Sequence, residues 1–209
     1  MPMNNISSRK HLSFYIYADR MMNRGYFRVP FRQKLVNLFC PDYIMLFLNA
    51  MRRVQFYSHR GGILLYYNKM RYFRLSRMLG FSIGYDVFDY ALVIPHYGTI
   101  VVGNKNRIGP YAILHTSTCI TDACRKIGKG ISLSTGAKIT GGGEILGDNV
   151  VVAANSVVTK SFPEGNVLIV GMPATIKKSL PDWYSSLSME TKRRVDAIES
   201  LKDEMGIKE

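Results

Sequence analysis

Residues 102–158 read VGNKNR IGPYAI LHTSTC ITDACRK IGKGIS LSTGAK ITGGGEI LGDNVV VAANSV V, nine units that each open on an aliphatic residue. The openers run from Val102, Ile108, Leu114 and Ile120 through Ile127, Leu133 and Ile139 to Leu146, Val152 and Val158. The register gains one residue after Ile120 and one more at Gly141, Gly142 and Gly143. Small or β-branched residues recur four places after many openers, at Ala112, Thr118, Ala137, Val150 and Ser156. A helix repeats every 3.6 residues and a lone strand every two, and neither yields six. A six-residue period fits short strands joined by tight turns, with each opener pointing into a prism and each small residue permitting the turn. Three strands then close a coil of about 18 residues, and coils stack at roughly the 4.8 Å strand spacing. The stack buries a continuous aliphatic column and leaves open ends that need caps.

The chain around this repeat is uneven in composition. Residues 1–80 hold 14 Lys and Arg against only Asp19 and Asp42, a net +12, whereas residues 81–209 hold 14 against 13. The same first 80 residues carry 15 of the 24 aromatics. This split predicts a boundary near Gly80. The expected fold class is mainly β: a parallel β-helix of hexapeptide repeats over 81–178, a basic helical domain over 1–80 capping one end, and a helical tail over 179–209. In the tail, Ser188 can cap, Glu190 lies in the first turn, and Val195, Ile198, Leu201 and Met205 recur at helical spacing. Trp183 and Tyr184 precede that stripe as candidate anchors.

Composition also narrows the class. With 47% hydrophobic and 21% charged residues, the chain reads as folded. No apolar stretch approaches the roughly 20 residues of a bilayer helix, since the longest, residues 43–51, is interrupted by Asn49. No secretory signal is evident. Cys40, Cys119 and Cys124 are odd in number and lack metal-ligand companions, which fits a reducing, cytoplasmic setting. The basic aromatic segment suits an anionic membrane face, a polyanionic glycan or nucleic acid. No nucleic-acid motif accompanies it, so that partner ranks last. The plainer reading is a helical domain with aromatics in its core and arginines in water.

Four stretches carry a resemblance: IPHYGTIVV at 94–102, GAKITG at 136–141, ANSVVTK at 154–160 and GMPAT at 171–175. Over roughly residues 80–178 they resemble the hexapeptide-repeat acyltransferases, whose β-helix is left-handed. Within these they resemble the serine acetyltransferase-like branch found in bacterial capsule and O-antigen clusters. The resemblance implies an O-acetyltransferase with acetyl-CoA as co-substrate and no metal, working as a homotrimer. His96 matches the family's catalytic base, two positions after an inward aliphatic and just before Gly98. His115 lies 19 residues on, about one coil, so the two imidazoles can meet on adjacent coils. Acyl transfer from a thioester to a hydroxyl needs such a base, together with donors for the oxyanion.

Acceptor binding is expected to involve His115 and, near the start of the first coil, Ser82, Asp86 and Asp89. Ser82 stands where the serine-specific enzymes place an aspartate, so the residue orienting the base stays open. Gly136, Ala137 and Ala154 match positions where small residues line the pantetheine groove between subunits. Lys160, Pro173 and Lys177 match the region near the adenine and phosphates. The serine enzymes also carry an inserted loop with a second histidine, whereas 121–126 (TDACRK) is short and has none. That favours a sugar or oligosaccharide acceptor of surface polysaccharide biosynthesis over serine or another small molecule. Peripheral contact with a membrane or an anionic glycan fits the basic domain. Metal-dependent carbonic anhydrases on this fold need three histidine ligands, and only His96 and His115 lie in the repeat. A non-catalytic scaffold remains the contrasting class.

Overall fold

The computed structural model describes residues 6–123, 125–186 and 188–207. Four helices lead the chain: α1 (Arg9–Arg24), α2 (Phe31–Phe39), α3 (Tyr43–Ser58) and α4 (Ile63–Leu79). Their ends follow local chemistry. The Ser8 hydroxyl accepts the His11 N–H at 3.0 Å to start α1, and Gly25 and Gly80 close α1 and α4 in the left-handed region that glycine enters without strain. Asp42 starts α3 by accepting the Met45 N–H at 3.1 Å.

From Phe81 the chain winds through five coils on three parallel faces. The first face stacks β1 (Phe81–Ile83), β2 (Ile100–Val102), β5 (Thr118–Ile120), β8 (Lys138–Ile139) and β11 (Val157–Val158). The second holds β3 (Arg107–Ile108), β6 (Lys126–Ile127) and β9 (Ile145–Leu146), extended by bridges from Phe88 and Phe162. The third holds β4 (Ile113–Leu114), β7 (Ser132–Leu133), β10 (Val150–Val152) and β12 (Val167–Gly171). All ten openers of the sequence repeat are buried, and so are the five small residues four places on. The hexapeptide period is therefore the inward column of a β-solenoid.

The two register slips fall at the corner between the first and second faces. There Arg125 lies fully buried and donates to the Gly141 carbonyl at 3.0 Å, while the buried Asn106 amide donates to Gly103 and Thr121 carbonyls. These bonds fix Arg125 inside the corner, while Thr121, Asp122, Ala123 and Lys126 stay exposed around it. Cys40 and Cys119 are free thiols, and Cys124 lies outside the described residues.

The helices close the first coil. Phe47 of α3 stacks on Tyr72 of α4 and meets Phe81 edge-on at 5.1 Å, so one apolar core runs from α3 and α4 into the aliphatic column. At the other end β13 (Ala174–Ser179) folds back antiparallel on β12, a strand the six-residue pattern does not reveal. The chain then returns along the prism through α5 (Trp183–Ser186) and α6 (Met189–Glu204), where Ile198 and its helical stripe pack against Phe14, Tyr15 and Ala18 of α1.

A buried ion pair ties α1, α3 and the first coil together. Arg52 donates to both carboxylate oxygens of Asp19 at 2.8 and 3.0 Å and to the carbonyls of Phe88 and Asp89 at 2.6 Å each. Asp19 in turn accepts the Leu92 N–H at 3.0 Å.

Candidate active site

The corner between the third and first faces is built from a positive-φ turn repeated every 19 residues. Gly98, Ser117, Gly136 and Asn155 all have positive φ (137°, 62°, 76° and 56°); the last three lie in or near the left-handed region, open to Gly and tolerated by short polar side chains, while the value at Gly98 suits glycine. Each turn hangs on the coil before it: Ser117 N–H donates to the Thr99 carbonyl at 2.7 Å, Gly136 N–H to Thr116 at 3.0 Å and Asn155 N–H to Thr135 at 3.0 Å. Two residues ahead of these positions stand His96, His115, Ser134 and Ala153. The histidines thus occupy equivalent places on adjacent coils. Pro95, His96 and Tyr97 span Ile94 to Gly98, one residue more than His115 and Thr116 use to span Leu114 to Ser117, and His96 and Tyr97 lie exposed.

His115 is half-buried and held by its backbone, whose N–H donates to the Leu133 carbonyl at 3.0 Å and whose carbonyl accepts the Thr118 hydroxyl at 2.9 Å. Burial lowers its pKa, and the nearby His96 imidazole lowers it further. His115 is therefore a neutral imidazole at neutral pH, able to accept or donate one hydrogen bond. His96 is exposed and offers its ring to whatever occupies the corner.

Gly136 and Ala154 share this edge with the histidines. A Cβ on Gly136 would stand 2.1 Å from Asn155 Oδ1, so a larger residue there must push the Asn155 side chain aside as well as adopt a φ of 76°. Ala137 points into the prism and is buried, while Ala154 is exposed one coil further along. Pro173 is exposed where β12 leaves the same edge. Three coil steps separate His96 from Ala154, roughly 14 Å at the strand spacing. Ser82 is the exposed central residue of β1, on the first face that begins at this corner.

The other sequence candidates lie elsewhere. Asp86 sits at the corner between first and second faces, 3.4 Å from Arg107. Asp89 sits at the corner between second and third faces, where it accepts the Tyr15 hydroxyl and the Tyr90 N–H. Each corner turns the chain onto a new face, so residues a few positions apart in sequence end on different edges, and neither carboxylate reaches the histidines. Lys160 occupies the first–second corner, 5.5 Å from the Phe162 ring centroid, and Lys177 lies exposed on β13. Sequence reasoning missed Ser117 and Asn155 as site residues. Their signal is a Gly, Ser or Asn in step with Gly98 and Gly136 once a 19-residue coil is known.

No family model matches the chain. A UDP-3-O-acylglucosamine N-acyltransferase of Pseudoalteromonas translucida is 26% identical over an alignment of 163 positions covering 57% of this chain and 47% of that protein, so the chain spans about half the relative's length. Among solved structures, a serine acetyltransferase of Neisseria gonorrhoeae superposes with TM-score 0.59 at 21% identity, covering 86% of this chain and 71% of that one. One from Brucella abortus strain S19 gives TM-score 0.54 at 22% identity over 82% and 69%. A soybean serine acetyltransferase complexed with serine gives 0.55 at 18% over 80% and 83%. The chain has the hexapeptide-repeat β-solenoid fold of these acyltransferases, with helices before and after it.

Proposed function

We propose that the protein is an acetyl-CoA-dependent O-acetyltransferase that acylates a sugar hydroxyl in bacterial surface polysaccharide synthesis, at the cytoplasmic side of the membrane. The observation that supports the reading most is one open edge carrying two histidines on adjacent coils together with Gly136 and Ala154. Acetyl-CoA and acceptor bind there together. His96 accepts the acceptor hydroxyl proton as the oxygen attacks the thioester carbonyl carbon. Backbone N–H groups hold the resulting oxyanion. The intermediate collapses with cleavage of the C–S bond, and the imidazolium returns its proton to the departing thiolate, leaving an O-acetyl ester and free CoA thiol. His115, kept neutral, positions the acceptor.

The small residues at Gly136 and Ala154 let the pantetheine arm lie along the edge, with Pro173 at its far end. A groove of this kind has one wall in this chain, and a homotrimer supplies the other from its neighbour. Free serine is the second reading, favoured by the serine acetyltransferases among the structural neighbours and disfavoured by the short 121–126 sequence, which brings no further histidine.

Release of CoA thiol from acetyl-CoA, measured with L-serine and separately with lipid-linked or polymeric surface glycans, decides between the two. Glycan-dependent release supports the proposal; serine-dependent release replaces it with the second reading. Absence of release and of acetyl-CoA binding would leave a scaffold.

A further inference from the structure

We propose that the exposed apolar sides of α2 and α4 dock this protein on an anionic phospholipid bilayer. The inference is independent of acyl transfer: α4 meets the histidine edge only through its end, where the Leu79 carbonyl accepts the Gly98 N–H at 3.0 Å, and the exposed side chains that carry the inference play no part in that contact.

A helix on the surface of a water-soluble protein turns its apolar stripe inward. In α2 this order is reversed. Phe31, Leu35, Leu38 and Phe39 recur at helical spacing and all are exposed, Leu38 at 73% and Phe39 at 83%. The polar side faces the body: the Gln33 amide donates to Asn37 at 2.9 Å, both are partly buried, and Asn37 lines a cleft with Pro41, Asp42 and Asn49. No residue of α2 is buried. The second helix carries large apolar side chains on two opposite sides, with arginines among the outer ones. Tyr72, Leu75 and Leu79 of α4 are buried against α3 and the first coil, yet Ile63 is 83% exposed and Tyr66 72%, with Met70 and Phe73 exposed along the same side. An exposed apolar stripe opposite the buried one offers a second apolar contact.

Charge selects the occupant. Asp19 and Asp42 are the only carboxylates in residues 1–80, and each is engaged, by Arg52 and by Arg24. Arg28, Arg32 and Lys34 around α2, and Arg74 and Arg77 on α4, are exposed with no other carboxylate in their own segment to meet them. A second copy would set one +12 segment against another. An acidic glycan would meet the cations but leave Leu38, Phe39 and Ile63 in water. Anionic lipid supplies phosphates for the cations and an acyl boundary for the apolar side chains at once. Among the described residues no helix is long and apolar enough to cross a membrane, which matches helices lying on the surface.

The test is co-sedimentation of the full chain with vesicles of phosphatidylcholine alone and of phosphatidylcholine with phosphatidylglycerol. The expected result is binding to the anionic vesicles that weakens with salt, and little binding to the neutral ones. Leu38→Gln with Phe39→Gln, and separately Ile63→Gln with Tyr66→Gln, should each reduce it about tenfold, with unchanged melting because the side chains are exposed. Arg74→Gln with Arg77→Gln should reduce both binding and its salt dependence. Equal binding to both vesicles, no binding, or full binding by the Gln variants overturns the proposal. So does dissociation of an oligomer by the apolar variants without change in vesicle binding, which would make the surface an interface between copies. Retention of a soluble acidic polysaccharide in place of vesicles overturns it in favour of a glycan. CoA thiol release with a soluble acceptor should stay at the parent level in every variant, so a failure here is distinct from a failure of the catalytic reading.

Discussion

Two edges of the prism carry nearly the same backbone and have opposite fates. The edge between the third and first faces repeats a positive-φ residue at Gly98, Ser117, Gly136 and Asn155. The edge between the second and third faces repeats one at Ala91, Tyr111, Gly130, Asn149 and Asn166. On the second of these, Tyr90, Ala91, Tyr111 and Asn149 are buried. The Trp183 indole N–H donates to the Tyr111 carbonyl at 3.1 Å, and the Tyr90 and Tyr111 hydroxyls both donate to Glu199 of α6. Histidines and small residues stand on the open edge where tyrosines stand on the covered one. The repeat therefore builds corners, and side-chain chemistry decides whether a corner becomes a seam or a groove.

The contrast is sharpest in what substitutions should do. On the open edge, His96→Ala should lower kcat by about 10²- to 10⁴-fold through loss of the base, with melting unchanged because the ring is exposed. Steady-state thiol release and a thermal melt check both halves. A large loss of stability would make His96 a packing residue and erase the distinction between the edges.

On the covered side, Arg52→Met should cost about 3–5 kcal/mol, because it leaves the Asp19 carboxylate buried without its partner and two carbonyls of the first coil without their donor. Denaturant unfolding reads the cost. Turnover at a temperature where the variant is folded should match the parent, since the residue is remote from the histidines.

Gly136→Ala should affect both readouts. Its Cβ would collide with Asn155 and its φ is positive, so about 1–3 kcal/mol of strain is expected. KM for acetyl-CoA should rise with it. Gly61→Ala has a comparable φ of 68° with nothing within 4 Å of the added carbon, so it isolates the backbone cost from the clash.

The smallest effect is electrostatic. Burial and His96 hold the His115 pKa below its ordinary value near 6.5. His96→Gln removes the second cause and should move the His115 titration upward while leaving it below that value, which NMR of the ring resonances detects. The sign for stability follows: as pH falls below the unfolded-state pKa, the unfolded chain takes up the proton more readily, so His115 subtracts stability on the acid side. His115→Gln should reduce that acid sensitivity. An unmoved titration would mean that the two imidazoles are not neighbours.

These edges were legible in the sequence to different degrees. A six-residue period specifies its own inward column, since burying any other register would expose Val102, Ile108 and the openers after them. His96 was legible because its flanking residues form a motif, and His115 because one coil is about 19 residues. The placement of Asp86 and Asp89 was not, since a strand of two or three residues followed by a corner changes the edge within a few positions. Nor did the strand β13 announce itself, being a single antiparallel pass outside the repeat. The reversal of α2 was equally hidden, because periodicity shows that a helix has an apolar side without showing which way it faces.

The most direct test of the central claim compares the two edges with the ligand present. Alanine methyl groups mark both: Ala153 and Ala154 on the open edge, Ala91 and Ala112 near the covered one. With methyl-labelled alanine, titration with acetyl-CoA should shift Ala153 and Ala154 saturably and leave Ala91 and Ala112 in place. Shifts confined to Ala91 and Ala112, or none at saturating acetyl-CoA, would contradict the assignment of the histidine edge as the site of acyl transfer.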